Sequence, residues 1–357
     1  MTSLFAPLTF RHGPAARNRL LLAPLTNCQS HPDGRLSDDE FHWLTLRARG
    51  GFGLTMTCAS HVQAAGQGFP GQLGVYSDLH LEGLTRLATA IKAAGSPCAV
   101  QLHHAGIRSP AALVGTPVGP SDDAETGARA LTLAEVQQLI EDFIAAAVRA
   151  ERAGFDGVEI HGAHGYVLGQ FLSPQTNRRT DRYGGSLEDR ARIFFEILAG
   201  IRARCRKDFT VGVRLSPERF GLRTLEVAAV AQRLMREADI DYVDFSLWDV
   251  FKAPMDESLQ DRSLMSIFTS LERGDVRVGV AGKISSADDA RRCLAAGADF
   301  VTIGRAAILH HDFPHRVQAD PHYVSPALPV TSAQLRAEGL GAAFIDYMRT
   351  WKGFVAD

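Results

Sequence analysis

Residues 20–30 read LLLAPLTNCQS, and this stretch decides between two folds. The apolar run Leu20–Ala23 has the length and composition of a buried strand. In a doubly wound sheet, the turn after a first strand normally carries a glycine-rich dinucleotide fingerprint. Here the turn reads APLTNCQS, with no GxGxxG pattern. That favours a (β/α)8 TIM barrel, whose ligands are met by loops at the C-terminal ends of the strands.

Outward from this stretch, short apolar runs alternate with longer amphipathic ones. Further strands are expected at Gly53–Thr57, Cys98–Leu102, Gly157–Ile160, Thr210–Leu215, Tyr242–Ser246, Val276–Val280 and Phe300–Ile303. Helices are expected near Ser37–Arg49, His80–Ala94, Leu133–Ala153, Leu187–Arg204, Leu225–Ala238, Ser263–Glu272 and Ser286–Ala296. This alternation is the pattern of a parallel α/β barrel. Thr132 and Glu135 form a capping-box pattern. Asp288 and Asp289 after Ser286 suit a helix N-terminus. The Gly-, Pro-, Ser- and Thr-rich stretch Gly106–Ala130 after the third strand reads as a lid-like insertion, with a disordered connector as its alternative. The chain divides into a barrel, residues 1–315, and a C-terminal extension, residues 316–357. The extension reads as helical near Gln334–Trp351 and is expected to pack on the barrel or on a neighbouring subunit of a homo-oligomer.

Composition narrows the class. The chain has 357 residues, enough for a barrel of typically about 250 residues with insertions. A formal net charge of −2 gives no reason to expect nucleic acid or an anionic membrane as a partner. No apolar run reaches the roughly 20 residues of a membrane span, and the N-terminus lacks a secretion-signal pattern. Cys28, Cys58, Cys98, Cys205 and Cys293 are scattered, without a CxxC pair. Reduced thiols in a cytoplasmic protein, without a metal or iron–sulfur framework, are expected.

The chemistry gathers at residues 159–186, EIHGAHGYVLGQFLSPQTNRRTDRYGGS. His161 and His164 follow a strand and suit hydrogen bonding to an oxygen that gains negative charge. A metal pair or a structural pair are the competing readings. Tyr166 can act as a proton donor or simply pack the barrel mouth. Arg214, at the end of TVGVRL, needs an anionic partner, either a reduced flavin or an internal salt bridge. Gln101, ending CAVQ, suits a flavin's pyrimidine edge. Gly282 with Lys283, and Gly304 with Arg305, follow the last two strands, where barrels commonly bind phosphate. Lys283 also leaves Schiff-base chemistry open. Asp78 and Lys92 read as surface residues.

The strings NRLLLAPLT, VQLHHAG, HGAHGY with FLSP, N.RTD.YGGS, VGVRLS and GRAAILHHDFP, in this order from Asn18 to Pro314, resemble the old yellow enzyme family of FMN-dependent ene-reductases. The resemblance implies bound FMN in the barrel unit and NADPH or NADH as co-substrate. It implies that Ala23, Pro24, Leu25 and Thr26 line the flavin ring, with Thr26 near a flavin carbonyl where some members carry cysteine. By the same resemblance Ala59 contacts the ring, Gln101 its pyrimidine edge and Arg214 the N1 region. Gly282, Lys283, Gly304 and Arg305 fall to the phosphate, and His161, His164 and Cys28 to the substrate. The implied reaction reduces α,β-unsaturated carbonyls or nitroalkenes in two half-reactions, with Tyr166 protonating the α-carbon. Two departures stand out: Cys28 sits where a related subgroup often has tyrosine, and the HAGR run reads HHAGIR, which displaces Arg108. Dienoyl-thioester reduction or amine demethylation on the same scaffold, a flavin-free lyase using Lys283, and a non-catalytic binding protein are the alternatives.

Overall fold

The computed structural model describes residues 3–356. Eight parallel strands form one sheet: β1 (Leu20–Leu22), β2 (Thr55–His61), β3 (Cys98–His103), β4 (Gly157–Gly162), β5 (Thr210–Leu215), β6 (Tyr242–Ser246), β7 (Arg277–Ala281) and β8 (Phe300–Ile303). Their spatial order is β1-β8-β7-β6-β5-β4-β3-β2. The ring closes through Leu22 N–H to Leu54 O (3.0 Å) and Gly53 N–H to Leu20 O (2.8 Å). Every strand residue except Arg277 is buried, as expected of a parallel sheet covered by helices outside and filled within. This is the barrel that the turn at residues 23–30 favoured.

Helices on the outer face start where capping side chains satisfy free backbone N–H groups. Ser37 caps α1 (Asp38–Arg49). The Thr132–Glu135 capping box opens α2 (Leu133–Arg152), and Ser186 caps α3 (Leu187–Arg204). Below the mouth, the N-terminal segment plugs the barrel through the antiparallel Leu8–Ala16 bridge. Leu8, Ala16, Leu21, Leu54, Met56, Ala99, Tyr242 and Phe300 form an apolar floor there. Side chains alternate along a strand. Above Tyr242, Ala99 and Phe300, positions two residues further on are therefore polar: Asp244, Gln101 and Thr302, all buried.

The helical stretch expected near Gln334–Trp351 is formed by two helices, α4 (Ser332–Ala337) and α5 (Ala342–Arg349). Gly339 breaks it with a φ of +81°, and a Cβ there would lie 2.7 Å from Leu46. The tail is clamped to the barrel. Arg47 donates to Ala307 O (3.2 Å) and Glu338 O (2.7 Å). His310 and His311 bond the two oxygens of the Glu338 carboxylate, and Phe344 packs on Trp43. The stretch Gly106–Ala130 reaches the mouth at Arg108, whose guanidinium lies over the Tyr166 ring. Further along, it docks on residues 178–179, where Arg178 N–H donates to Ser121 Oγ (2.8 Å) and Arg179 donates to Pro120 O (2.9 Å). Among the described residues, no helix is long and apolar enough to cross a membrane.

Candidate functional site

The C-terminal ends of the strands converge on one mouth. Strand register sets Ala59 beside Gln101, Gln101 beside Glu159, His161 beside Arg214, and Arg214 beside Asp244. Gln101 Nε2 donates to Glu159 Oε1 (2.6 Å), which leaves the amide oxygen as the free end. Arg214 Nε lies 3.3 Å from Asp244 Oδ2. That ion pair lacks hydrogen-bond geometry, so the buried Nε has no hydrogen-bond partner. The internal salt bridge foreseen for Arg214 thus exists, and the guanidinium also faces the cavity. Burial and the Asp244 charge push the Glu159 carboxyl up, against the pull of Arg214.

The end of β4 presents His161, and the turn after it presents His164 and Tyr166. His164 (φ +58°) and Gly165 (φ +70°) take left-handed backbone conformations. A Cβ on Gly165 would lie 2.6 Å from the Phe220 ring, so only glycine fits. His161 Nδ1 accepts from Ala163 N–H (3.3 Å), which puts the His161 proton on Nε2. That nitrogen lies 3.3 Å from His164 Nδ1, and His164 Nε2 lies 2.7 Å from Ser246 Oγ. The three side chains form one relay. Burial and the neighbouring His164, His103, Arg214 and Arg108 hold His161 well below the ordinary imidazole range. Burial, Arg214 and Arg108 hold His164 down to about 3. Both are neutral donors or acceptors at neutral pH. The Tyr166 ring centroid lies 5.2 Å from that of His161 and 4.4 Å from that of His103.

Two adjoining cavities meet at this point. The larger, of ≈ 580 Å³, collects Ala23, Pro24, Leu25, His164, Arg214, Gly282, Lys283, Gly304 and Arg305. A recess of ≈ 140 Å³ collects Pro24, Leu25, Thr26, Ala59, Gln101, His161, His164 and Tyr166. Cys28 lines neither. Its thiol, pushed up to about 11 by burial and Glu40, stays protonated. Lys283 Nζ pairs with Asp249 (3.0 Å), the arrangement of a charge partner. The sequence reading passed over Ser246, Trp248, Tyr347, Met348 and Trp351, all of which line these cavities. The tail residues Tyr347 and Trp351, four apart and both aromatic, were the one available signal.

Residues 3–322 match the NADH:flavin oxidoreductase / NADH oxidase family. The chain belongs to this family. It is 38% identical over 327 residues to the "Probable NADH-dependent flavin oxidoreductase YqiG" of Bacillus subtilis (strain 168), covering 88% of this chain and 87% of that protein. It is 33% identical over 334 residues to the NADH:fumarate oxidoreductase of Klebsiella pneumoniae (strain 342). That match covers 88% of this chain but only 36% of the relative. Among solved structures, the old yellow enzyme homologue from Zymomonas mobilis superposes with a TM-score of 0.79 at 28% identity, covering 90% of this chain and 94% of that one. The family member described here is an NAD(P)H-dependent FMN oxidoreductase of the old yellow enzyme type, as the sequence resemblance implied.

Proposed function

We propose that the chain reduces activated alkenes, namely α,β-unsaturated carbonyl compounds and nitroalkenes, with NADPH or NADH as the source of electrons. In this reading Ala23, Pro24, Leu25, Thr26 and Ala59 meet the ring of FMN, and Gln101 and Arg214 its polar edge. Gly282, Lys283, Gly304 and Arg305 meet its phosphate. The residues suit such a group. The larger cavity, ≈ 580 Å³, lies within the roughly 300–1,000 Å³ of small-molecule sites. The buried Arg214 Nε lacks a hydrogen-bond partner. A Cβ on Gly304 would have nothing closer than 3.6 Å, which leaves room beside its backbone. When bound, FMN supplies the two-electron transfer between nicotinamide and alkene.

The observation that carries the reading is the neutral imidazole relay beside a phenol. Ser246 gives it two settings. With no substrate oxygen, His161 Nε2–H donates to His164 Nδ1, and His164 Nε2–H donates to Ser246 Oγ. If the Ser246 hydroxyl rotates to donate to His164 Nε2, the His164 proton moves to Nδ1. Both N–H groups then point into the space between the rings and hold one substrate oxygen as charge builds on it. Tyr166 delivers the proton to the α-carbon. The fumarate-named relative is consistent with an activated alkene as substrate.

Tyr166→Phe tests the reading in stopped flow. Alkene-driven reoxidation of the reduced enzyme is expected to slow by about 10²–10⁴-fold, the usual worth of a general acid. Reduction by NADPH is expected to change far less. Equal loss in both half-reactions would remove the phenol from its role.

A further inference from the structure

Between Tyr166, which lines the recess, and Trp248, which lines the larger cavity, runs a lip of aromatic rings and guanidinium groups that alkene reduction itself does not require. Arg108 Cζ lies 4.9 Å from the Tyr166 ring centroid and 5.5 Å from that of Phe220. The Phe220 and Trp248 rings are 6.4 Å apart, and Arg219 Cζ stands 4.7 Å over Trp248. The series runs without a break from the proposed proton donor to the exposed rim.

Both arginines are exposed. Among the described residues neither has a carboxylate partner, although acids stand close by in sequence. Those acids are already engaged. Glu218, next to Arg219, is buried, pairs with Lys252 and accepts from Met255 N–H (2.7 Å). Asp249, next to Trp248, pairs with Lys283. The Arg108 side chain donates to the His164 carbonyl oxygen, and the Arg219 side chain makes no hydrogen bond among the described residues. The backbone that presents Arg219 and the two rings is strained: Arg219 (φ +70°), Phe220 (φ +53°) and Trp248 (φ +66°) all lie in the left-handed region. A guanidinium stacked on a ring is held flat and partly dehydrated, with its N–H edge open to a planar oxyanion.

We propose that this lip recognises an anionic group on the substrate, so that the preferred alkenes carry, besides the activating carbonyl, a carboxylate held by Arg108 and Arg219. The inference rests on the recess being the alkene site. A phosphate of the nicotinamide has related chemistry, and the lip is assigned to the substrate because Arg108 touches the Tyr166 ring.

The test uses the FMN-loaded oxidised enzyme, which binds without turning over. Calorimetric and flavin-absorbance titrations compare 4-(4-carboxyphenyl)but-3-en-2-one with its methyl ester at low salt. The acid is expected to bind about tenfold more tightly than the ester. That ratio is expected to fall about three- to tenfold in Arg219→Gln or Arg108→Gln, and to shrink at high ionic strength. Arg108→Lys keeps the charge and a donor for the His164 carbonyl, and is expected to retain most of the preference. Equal affinity for acid and ester, a preference that survives in the double glutamine variant, or a loss seen only in NADPH affinity would each overturn the proposal. Alkene reduction is judged separately, by anaerobic reoxidation of the reduced enzyme with the ester. Failure there would count against the alkene reading itself.

Discussion

The two halves of the barrel mouth are built by opposite means. After β7 and β8, glycine backbone does much of the shaping, at Gly282 and Gly304, beside the cations Lys283 and Arg305. Gly282 sits at φ +146°, with a would-be Cβ 2.7 Å from the Trp248 carbonyl carbon. After β4, β5 and β6, side chains do the work, through His161, His164, Tyr166, Arg214 and Ser246. Substitutions on the first half therefore act through shape and retention of the cofactor. On the second half they act through protons and charge.

The largest expected contrast is in acid. The side-chain half and its surroundings bury His103, His104 and His161 as neutral rings and half-bury His164, while the glycine half contributes no buried histidine among the described residues. Burial holds His104 down to about 3, and burial with Arg214 and Arg108 does the same to His164. Burial and neighbouring cationic groups push His103 and His161 well down too. The unfolded chain titrates its histidines near about 6.5. As pH falls below that value the unfolded state binds protons first, so this contribution to stability is complete above about 6.5 and is lost progressively toward 3. Urea denaturation between pH 7 and pH 4 should show stability falling by up to about 1.4 kcal/mol per pH unit for each such histidine. A flat profile would show that these rings are not buried and neutral.

A smaller effect sharpens the backbone half. In Gly282→Ala, a side chain must enter a left-handed backbone position against the Trp248 carbonyl. The strain, about 1–3 kcal/mol, corresponds to roughly 5- to 150-fold weaker FMN retention if it falls on the bound state. Equilibrium dialysis of FMN measures it. Retention equal to that of the parent chain would show that this loop does not shape the site.

The two halves also differed in legibility. Gly282–Lys283 and Gly304–Arg305 stood out in sequence because a glycine beside a cation after an apolar run is rare and has a physical meaning. His161, His164 and Tyr166 stood out by their spacing. Ser246 did not, because YVDFS reads as an ordinary strand and nothing local shows that its last residue faces an imidazole from the turn after β4. The second strand was placed early because Gly53 and Leu54 are apolar, but they bond to β1 and the strand proper starts at Thr55. The lid was sought in the glycine- and proline-rich stretch near Gly106–Ala130. The recess is also lined by Tyr347, Met348 and Trp351, brought from the far end of the chain by the Arg47 and Glu338 contacts. Long-range docking of that kind leaves no local pattern.

The finest distinction lies within the side-chain half, between donors and the residue that sets their protons. Ser246 touches His164 but is two bonds removed from any substrate oxygen held between the rings. Replacing it with alanine leaves His164 Nε2 without its partner, so the tautomer with the proton on Nδ1 loses the hydroxyl that would stabilise it. One neutral hydrogen bond of this kind is worth about 0.5–1.5 kcal/mol, or roughly 2- to 12-fold. Ser246→Ala should slow alkene-driven reoxidation by about that factor, and Ser246→Thr, which keeps the hydroxyl, should restore most of it. Imidazole ¹⁵N shifts of His164 should move with the alanine change whether or not alkene is present. If the rate falls while those shifts stay fixed, Ser246 acts through packing, and the two-setting relay is wrong even though the imidazole pair remains where it is.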